Sequence, residues 1–360
     1  MLPFRVVVVD DSALFRTLLR NAVADIPHCE VVASIGDSRT VVDKVEELKP
    51  DLVTLDIEMP ELSGIDVLRE MNRRQIKTSV LMISRFTTTG AQVTTDALIE
   101  GAFDFILKPS GSNPAENKKS LREALAEKID ALREARSTTN LKSSADEHVI
   151  SAPTAAYRPE AVVIGCSTGG PDALARVIPN LSGTLPVPVF VVQHIPAGFT
   201  ASLSSRLNEA SELEVLEADD DMRVRAGQVV LARGGLHMQL ARRVLSAVTI
   251  KLTDAPPEQR CRPAVDYTLR SAVEIYGGKL LAVILTGMGR DGTAGCQLLR
   301  ARSGTVVAQH ADGCTVYGMP ASVVNAGLAN EVVRLSRIAS TINRLVQGPV
   351  EKPDSRHAAS

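Results

Sequence analysis

Apolar and polar positions alternate along this chain in two blocks. In the first, short apolar runs at 5–9, 30–35, 52–55, 79–83 and 103–106 read as buried strands. The segments between them carry one apolar face at helical spacing. Leu14, Leu18, Leu19, Ala22 and Val23 form one stripe, and Val41, Val42, Val45 and Leu48 form another. A strand–helix repeat of this kind predicts a parallel sheet covered on both faces. A last helix is expected over 118–136, with Leu121, Leu125, Ile129 and Leu132 on one side. Residues 137–158 are rich in Ser, Thr and Ala, lack apolar periodicity and read as a flexible linker. The alternation then returns over 159–349. Strands are expected at 161–164, 185–192, 280–285 and 305–309, helices at 199–207, 266–276 and 335–346, and several short strands over 219–252. Residues 350–360 read as a polar tail. The pattern is that of two α/β domains, 1–136 and 159–349.

Composition narrows the function classes. The 360 residues carry a formal net charge of −2, which does not suggest a nucleic-acid or polyanion binder. No apolar run approaches the roughly 20 residues that span a bilayer. The N-terminus passes directly into a strand, so no signal peptide is expected. The five cysteines are scattered, with no Cys-x-x-Cys pair, so neither a zinc site nor a disulfide framework is indicated. A cytoplasmic location is the expectation.

In the second block, the run Ala161-Val162-Val163-Ile164 leads into Gly165-Cys166-Ser167-Thr168-Gly169-Gly170-Pro171. This reads as a tight strand-to-helix turn with Ser167 at its tip and Pro171 opening the helix. A plain turn has the same composition, but two more strands end in reactive side chains. One runs into Gln193-His194, the other into Thr286-Gly287-Met288-Gly289-Arg290-Asp291-Gly292. In an open parallel sheet those C-terminal ends share one rim, where ligands bind. Ser167 as nucleophile, His194 as base and Asp291 as its orienter make a hydrolytic triad. Its order along the chain differs from that of the α/β-hydrolases, where the acid precedes the histidine. A nucleotide-binding loop is the competing reading, but Ser167 stands where a dinucleotide fingerprint needs glycine, and no Gly-Lys-Ser/Thr follows. Cys166 is a second candidate nucleophile, expected instead to pack beneath the loop.

The first block places charge at strand ends too. Asp10 and Asp11 end the first strand, Asp56 the third, and Lys108 follows the fifth. Three converging carboxylates call for a cation, and oxygen donors with retained water suit Mg²⁺. A carboxylate can itself accept a phosphoryl group, with Mg²⁺ and a lysine stabilising the moving charge.

This half resembles the response-regulator receiver domain through Val9-Asp10-Asp11-Ser12, Leu55-Asp56-Ile57-Glu58-Met59-Pro60 with Gly64, Ser84 and Lys108-Pro109. The resemblance implies a flavodoxin-like fold with a five-stranded parallel sheet. It implies Asp56 as phospho-acceptor, and Asp11, Asp56 and the Glu58 carbonyl as Mg²⁺ ligands supported by Asp10. It also implies Ser84 and Phe105 as switch residues, and a histidine kinase as phosphodonor. Residues 160–349 resemble the catalytic domain of the chemotaxis protein-glutamate methylesterases, the CheB family. The carrying stretches are Gly165 to Pro171, Gln193-His194-Ile195-Pro196, His237-Met238, Arg262-Pro263-Ala264-Val265-Asp266, Thr286 to Gly292 and Tyr317-Gly318-Met319-Pro320. This implies a doubly wound, mainly parallel α/β domain with Ser167, His194 and Asp291 as triad. The resemblance further implies that Met288 supplies an oxyanion N–H, with Thr168 and Gly169 of the Ser167 turn as the other oxyanion and substrate-loop residues. The implied substrates are glutamyl methyl esters on the cytoplasmic helices of chemoreceptors, and in many members receptor glutamines as well. No cofactor is implied for the esterase. Ile195, Arg233, Cys261 and Ala264 depart from the family's usual residues, and none is in the triad. A receiver-controlled nucleotide-binding protein or a non-enzymatic signalling adaptor is the alternative.

Overall fold

The computed structural model describes residues 3–139, 158–242 and 247–348. The chain divides into two compact units, Met1–Leu141 and Lys142–Ser360. The expected linker lies outside the described residues apart from 137–139 and 158, and the expected tail lies outside them entirely.

The first unit follows β1 (Phe4–Val9), α1 (Ala13–Ala24), β2 (Cys29–Ile35), α2 (Val41–Leu48), β3 (Leu52–Asp56), α3 (Gly64–Arg73), β4 (Ser79–Ser84), α4 (Thr88–Ile99), β5 (Asp104–Leu107) and α5 (Pro114–Thr139). Helix α5 thus continues through Thr139, past the expected end at 136. The strand order is β2-β1-β3-β4-β5, all parallel, the flavodoxin-like arrangement. Val6 to Val9 are fully buried because helices cover both faces of the sheet. Two helix starts are fixed by local chemistry: Ser12 Oγ accepts from Phe15 N, and Ser63 and Asp66 form a capping box.

The second unit follows β6 (Ala161–Cys166), α6 (Gly170–Val177), β7 (Val189–Gln193), α7 (Phe199–Ala210), β8 (Glu214–Glu217), β9 (Gln228–Leu231), β10 (His237–Arg242), β11 (Val248–Thr253), α8 (Val265–Tyr276), β12 (Leu280–Ile284), α9 (Thr293–Ala301), β13 (Thr305–Gln309), α10 (Met319–Asn325), β14 (Glu331–Val333) and α11 (Leu335–Gln347). Seven strands pair in the order β14-β13-β12-β6-β7-β9-β8, all parallel. The strand expected from 185 begins only at Val189. Pro186 and Pro188 carry no N–H for a ladder, which delays it. Strands β10 and β11 form a separate antiparallel hairpin. It is tied to α8, where Thr268 Oγ1 donates to Met238 O at 2.8 Å and Leu240 N donates to Ser271 Oγ at 3.0 Å.

The chain enters this sheet at its centre. From β6 it moves outward through β7, then returns to the other flank at β12. The switch in direction opens a crevice beyond the C-terminal ends of β6, β7 and β12.

Candidate active site and acidic cluster

Register alone brings the three candidate residues of the second unit together. Cys166 pairs with Gln193 across β6 and β7, and His194 N donates to Cys166 O at 3.1 Å. Ser167 and His194 therefore leave neighbouring strands at the same rung. On the other flank Gly165 pairs with Ile284, and Ser167 N donates to Thr286 O at 3.0 Å. Ser167 thus lies between His194 and the loop that carries Met288 and Asp291.

Side chains lock the turn. Gly169 has φ +76° and caps α6, where an L side chain is strained. A Cβ there would collide with Thr315, and one at Gly170 would collide with the Gln193 amide. Gln193 Nε2 donates to the carbonyls of Ser167 and His194 at 2.9 and 3.2 Å. Thr286 Oγ1 donates to Thr168 O at 3.0 Å, and Gln309 Oε1 accepts from Thr286 N at 2.8 Å. Thr315 and Gln193 therefore pack against the two glycines on the side where a Cβ would project.

Asp291 is buried, and its carboxylate accepts four hydrogen bonds: from Val265 N (2.6 Å), Asp266 N and Gly292 N (both 2.9 Å), and His194 Nε2 (2.7 Å). Burial works to raise its pKa, but the bonds from His194 and the backbone outweigh burial and hold the carboxyl below the ordinary range. Burial likewise opposes the charged His194 ring. Its bonds to Asp291 and Cys261 outweigh that and push it up to about 9. Nδ1 of His194 faces Cys261 Sγ at 3.4 Å. Ser167 Oγ makes no hydrogen bond among the described residues, and neither does the N–H of Met288 or of Gly169. The structure thus joins His194 to Asp291, leaves the Ser167 hydroxyl unengaged at the end of the adjacent strand, and sets Cys261 on the ring edge turned away from Asp291. Cys166 is fully buried, its Sγ 3.8 Å from Val192 O, and burial pushes its thiol up.

Three neighbours of the site carried no role in the sequence. Asp266 accepts from Gly295 N at 2.7 Å and from Gln259 Nε2 at 3.1 Å. Burial first, and then the Asp291 charge, push its carboxyl up to about 6 against the pull of the Gly295 N–H. Cys261 stood out only as a departure from a family pattern. Gln309, at the end of β13, shares the strand-end signal that found His194.

In the first unit, oxygens of Asp10, Asp11 and Asp56 lie within 4.8 Å of one another. Lys108 Nζ reaches Asp10 Oδ2 and Asp56 Oδ2, both at 2.7 Å. Asp10 and Asp56 are buried and Asp11 is exposed. Burial raises the Asp56 carboxyl to about 6, with Lys108 pulling it down and Asp10 pushing it up. Three carboxylates against one ammonium leave unbalanced negative charge and hard oxygen donors, a set that fits Mg²⁺. The Glu58 side chain is exposed and pairs with Arg85 at 3.4 Å. Ser84 is buried at the end of β4, its Oγ accepting from Thr94 Oγ1 at 2.8 Å, and Phe105 is buried in β5.

Residues 162–342 match the CheB methylesterase family and residues 6–121 match the response regulator receiver domain. The protein-glutamate methylesterase/protein-glutamine glutaminase of Symbiobacterium thermophilum is 43% identical over 360 residues, covering 96% of this chain and 97% of its own. The protein of the same name from Thermotoga maritima is 42% identical over 346 residues, covering 95% and 98%. Among solved structures, the CheB methylesterase catalytic domain of Thermotoga maritima aligns with a TM-score of 0.51 at 45% identity, over 53% of this chain and 100% of that one.

Proposed function

This chain belongs to the CheB methylesterase family, with a response regulator receiver domain ahead of the methylesterase domain, and on that premise we propose that it hydrolyses glutamyl methyl esters on chemoreceptor helices by a Ser167–His194–Asp291 triad controlled through Asp56. The observation that carries this is the convergence of these three residues at the ends of adjacent strands, with His194 bonded to Asp291 at 2.7 Å.

The bonding order supports the following steps. Asp291, held ionised by His194 and backbone N–H groups, accepts a hydrogen bond from Nε2–H and leaves Nδ1 as the basic edge of the neutral ring. Nδ1 takes the Ser167 proton as Oγ attacks the ester carbonyl. The oxyanion meets the free N–H groups of Met288 and Gly169, at one edge of the Thr168-containing turn. The tetrahedral adduct collapses, methanol leaves with the proton from Nδ1, and water hydrolyses the glutamyl-serine. A receptor glutamine follows the same course with ammonia leaving.

In the receiver, Asp11, Asp56 and the Glu58 carbonyl are the proposed Mg²⁺ ligands, with Asp10 as the supporting acid of the metal site. The ion supplies positive charge to phosphoryl oxygens when bound. Asp56 is the phospho-acceptor, taking the group from a histidine kinase, and Lys108 is placed to neutralise it. Ser84 and Phe105 are the proposed switch residues. The structure contains no helix, among the described residues, long and apolar enough to cross a membrane, consistent with a protein that works on the soluble part of a receptor.

Methanol release from methylated receptors tests the chemistry. The whole chain should release methanol, Ser167→Ala should lose on the order of 10⁶ in kcat, and Cys166→Ala should keep most activity. An active Ser167→Ala beside a dead Cys166→Ala would overturn the assignment.

A further inference from the structure

The Cys261 thiol occupies the edge of His194 that the proposed mechanism needs free. It does not hang there by chance. Gln259 (φ +49°) and Arg260 (φ +67°) form a two-residue reverse turn, closed by Glu258 N to Cys261 O at 3.1 Å and Cys261 N to Glu258 O at 2.8 Å. The turn is pinned on both sides: the Glu258 carboxylate pairs with Arg270, Gln259 Nε2 donates to Asp266 Oδ2, and Arg262 Nη1 donates to Asp254 O at 2.8 Å. Sγ therefore stands 3.4 Å from Nδ1 of a ring whose side chain is only 10% exposed, and Cys261 itself is partly exposed. Among the described cysteines, Cys166 and Cys296 are buried, and Cys29 and Cys314 contact Arg133 and the His310 carbonyl instead.

We propose that Cys261 is an oxidative modification site, activated by His194, through which a peroxide reversibly shuts the esterase. The inference rests on His194 being the catalytic base. Nδ1 takes the thiol proton, and the thiolate sulfur attacks one oxygen of hydrogen peroxide. The O–O bond breaks, and the departing hydroxide takes the proton from Nδ1 and leaves as water. Sulfur is oxidised by two electrons to a sulfenic acid and the peroxide is reduced. The new S–OH donates to Nδ1 and fills the place of the Ser167 hydroxyl, so the base has no free lone pair. Two equivalents of a small thiol reverse the step. The first forms a mixed disulfide and expels water, and the second releases Cys261 and the reagent's disulfide.

The whole chain, fully reduced and supplied with a small-molecule phosphodonor, is treated with hydrogen peroxide. Methanol release is measured before treatment, after it and after dithiothreitol. The wild type should lose at least tenfold and recover with dithiothreitol, which separates the effect from sulfoxide formation at Met288, since simple thiols at these concentrations do not reverse that. Cys261→Ser, compared only with its own untreated rate, should lose less than twofold. A 1,3-diketone probe should label Cys261 in the wild type and in Ser167→Ala, and at least tenfold more slowly in His194→Ala. Undiminished labelling in His194→Ala, absence of label at Cys261, or parallel inactivation of Cys261→Ser would overturn the proposal. The labelling needs no turnover, so failure of the esterase reading appears separately, as no methanol from the untreated wild type.

Discussion

The two edges of the His194 ring have different partners, and that difference sets the pH behaviour of the site. Asp291 holds Nε2 at 2.7 Å and Cys261 faces Nδ1 at 3.4 Å. Both bonds favour the imidazolium, which lies at about 9 despite burial. As the proposed base, His194 works only when neutral, so kcat/KM should climb with pH up to about 9. Removing the thiol, Cys261→Ala, takes away that support for the charged ring and should move that limb down by roughly one pH unit, the scale of a lost charged hydrogen bond. A limb that stays in place would mean the thiol does not bear on the ring. Asp291→Asn turns an amide NH2 toward either the His194 ring or buried backbone N–H groups, and should lower kcat by about 10⁴ or more. The sequence made His194 and Asp291 legible because both follow apolar strand cores. Which ring nitrogen meets which partner was not legible, because Cys261 arrives from a turn that local pattern does not connect to β7.

At the level of elements, the site depends on turns that tolerate only certain residues. Gly169→Ala forces a side chain into the left-handed region and against Thr315. It should cost at least 1–2 kcal/mol, roughly the price of a left-handed L residue, and lower the melting temperature of the catalytic unit by a few degrees. An unchanged melting curve would show that the turn relaxes. In the receiver, β1, β3 and β5 deliver Asp10, Asp56 and Lys108 to one rim. A small phosphodonor with Mg²⁺ should therefore label the chain once, at Asp56, as a hydroxylamine-labile acyl phosphate. Asp56→Asn should remain unlabelled, and labelling that ignores Mg²⁺ would count against the acidic cluster as the metal site. The buried strands were readable as uninterrupted apolar runs. The late start of β7 was hidden because Pro186 and Pro188 interrupt the ladder but not the hydrophobicity. The edge strands β8 and β14 span four and three residues, too short to establish a period of two.

At the scale of the whole molecule, both units place their reactive groups at the C-terminal rim of a parallel sheet, and the order of receiver before esterase makes regulation the natural use of the pairing. We propose that the unphosphorylated receiver restrains the esterase and that phosphorylation at Asp56 lifts the restraint, by repositioning Ser84 and Phe105 and the receiver surface around them. A tenfold activation needs only about 1.4 kcal/mol of preference between restrained and released forms. Two-domain order was legible in the repeated strand–helix pattern, whereas a restraint of one unit by the other would leave no trace in the local sequence of either. The most direct measurement is methanol release from methylated receptors by three species side by side: the whole chain, the whole chain with phosphodonor and Mg²⁺, and a fragment beginning near Arg158, whose counterpart from Thermotoga maritima has been crystallised as a separate domain. The account predicts that the fragment and the phosphorylated whole chain are each at least tenfold faster than the unphosphorylated whole chain, and that phosphodonor does nothing to the fragment or to Asp56→Asn. A fragment no faster than the unphosphorylated whole chain, together with a whole chain that phosphodonor leaves unchanged, would contradict it.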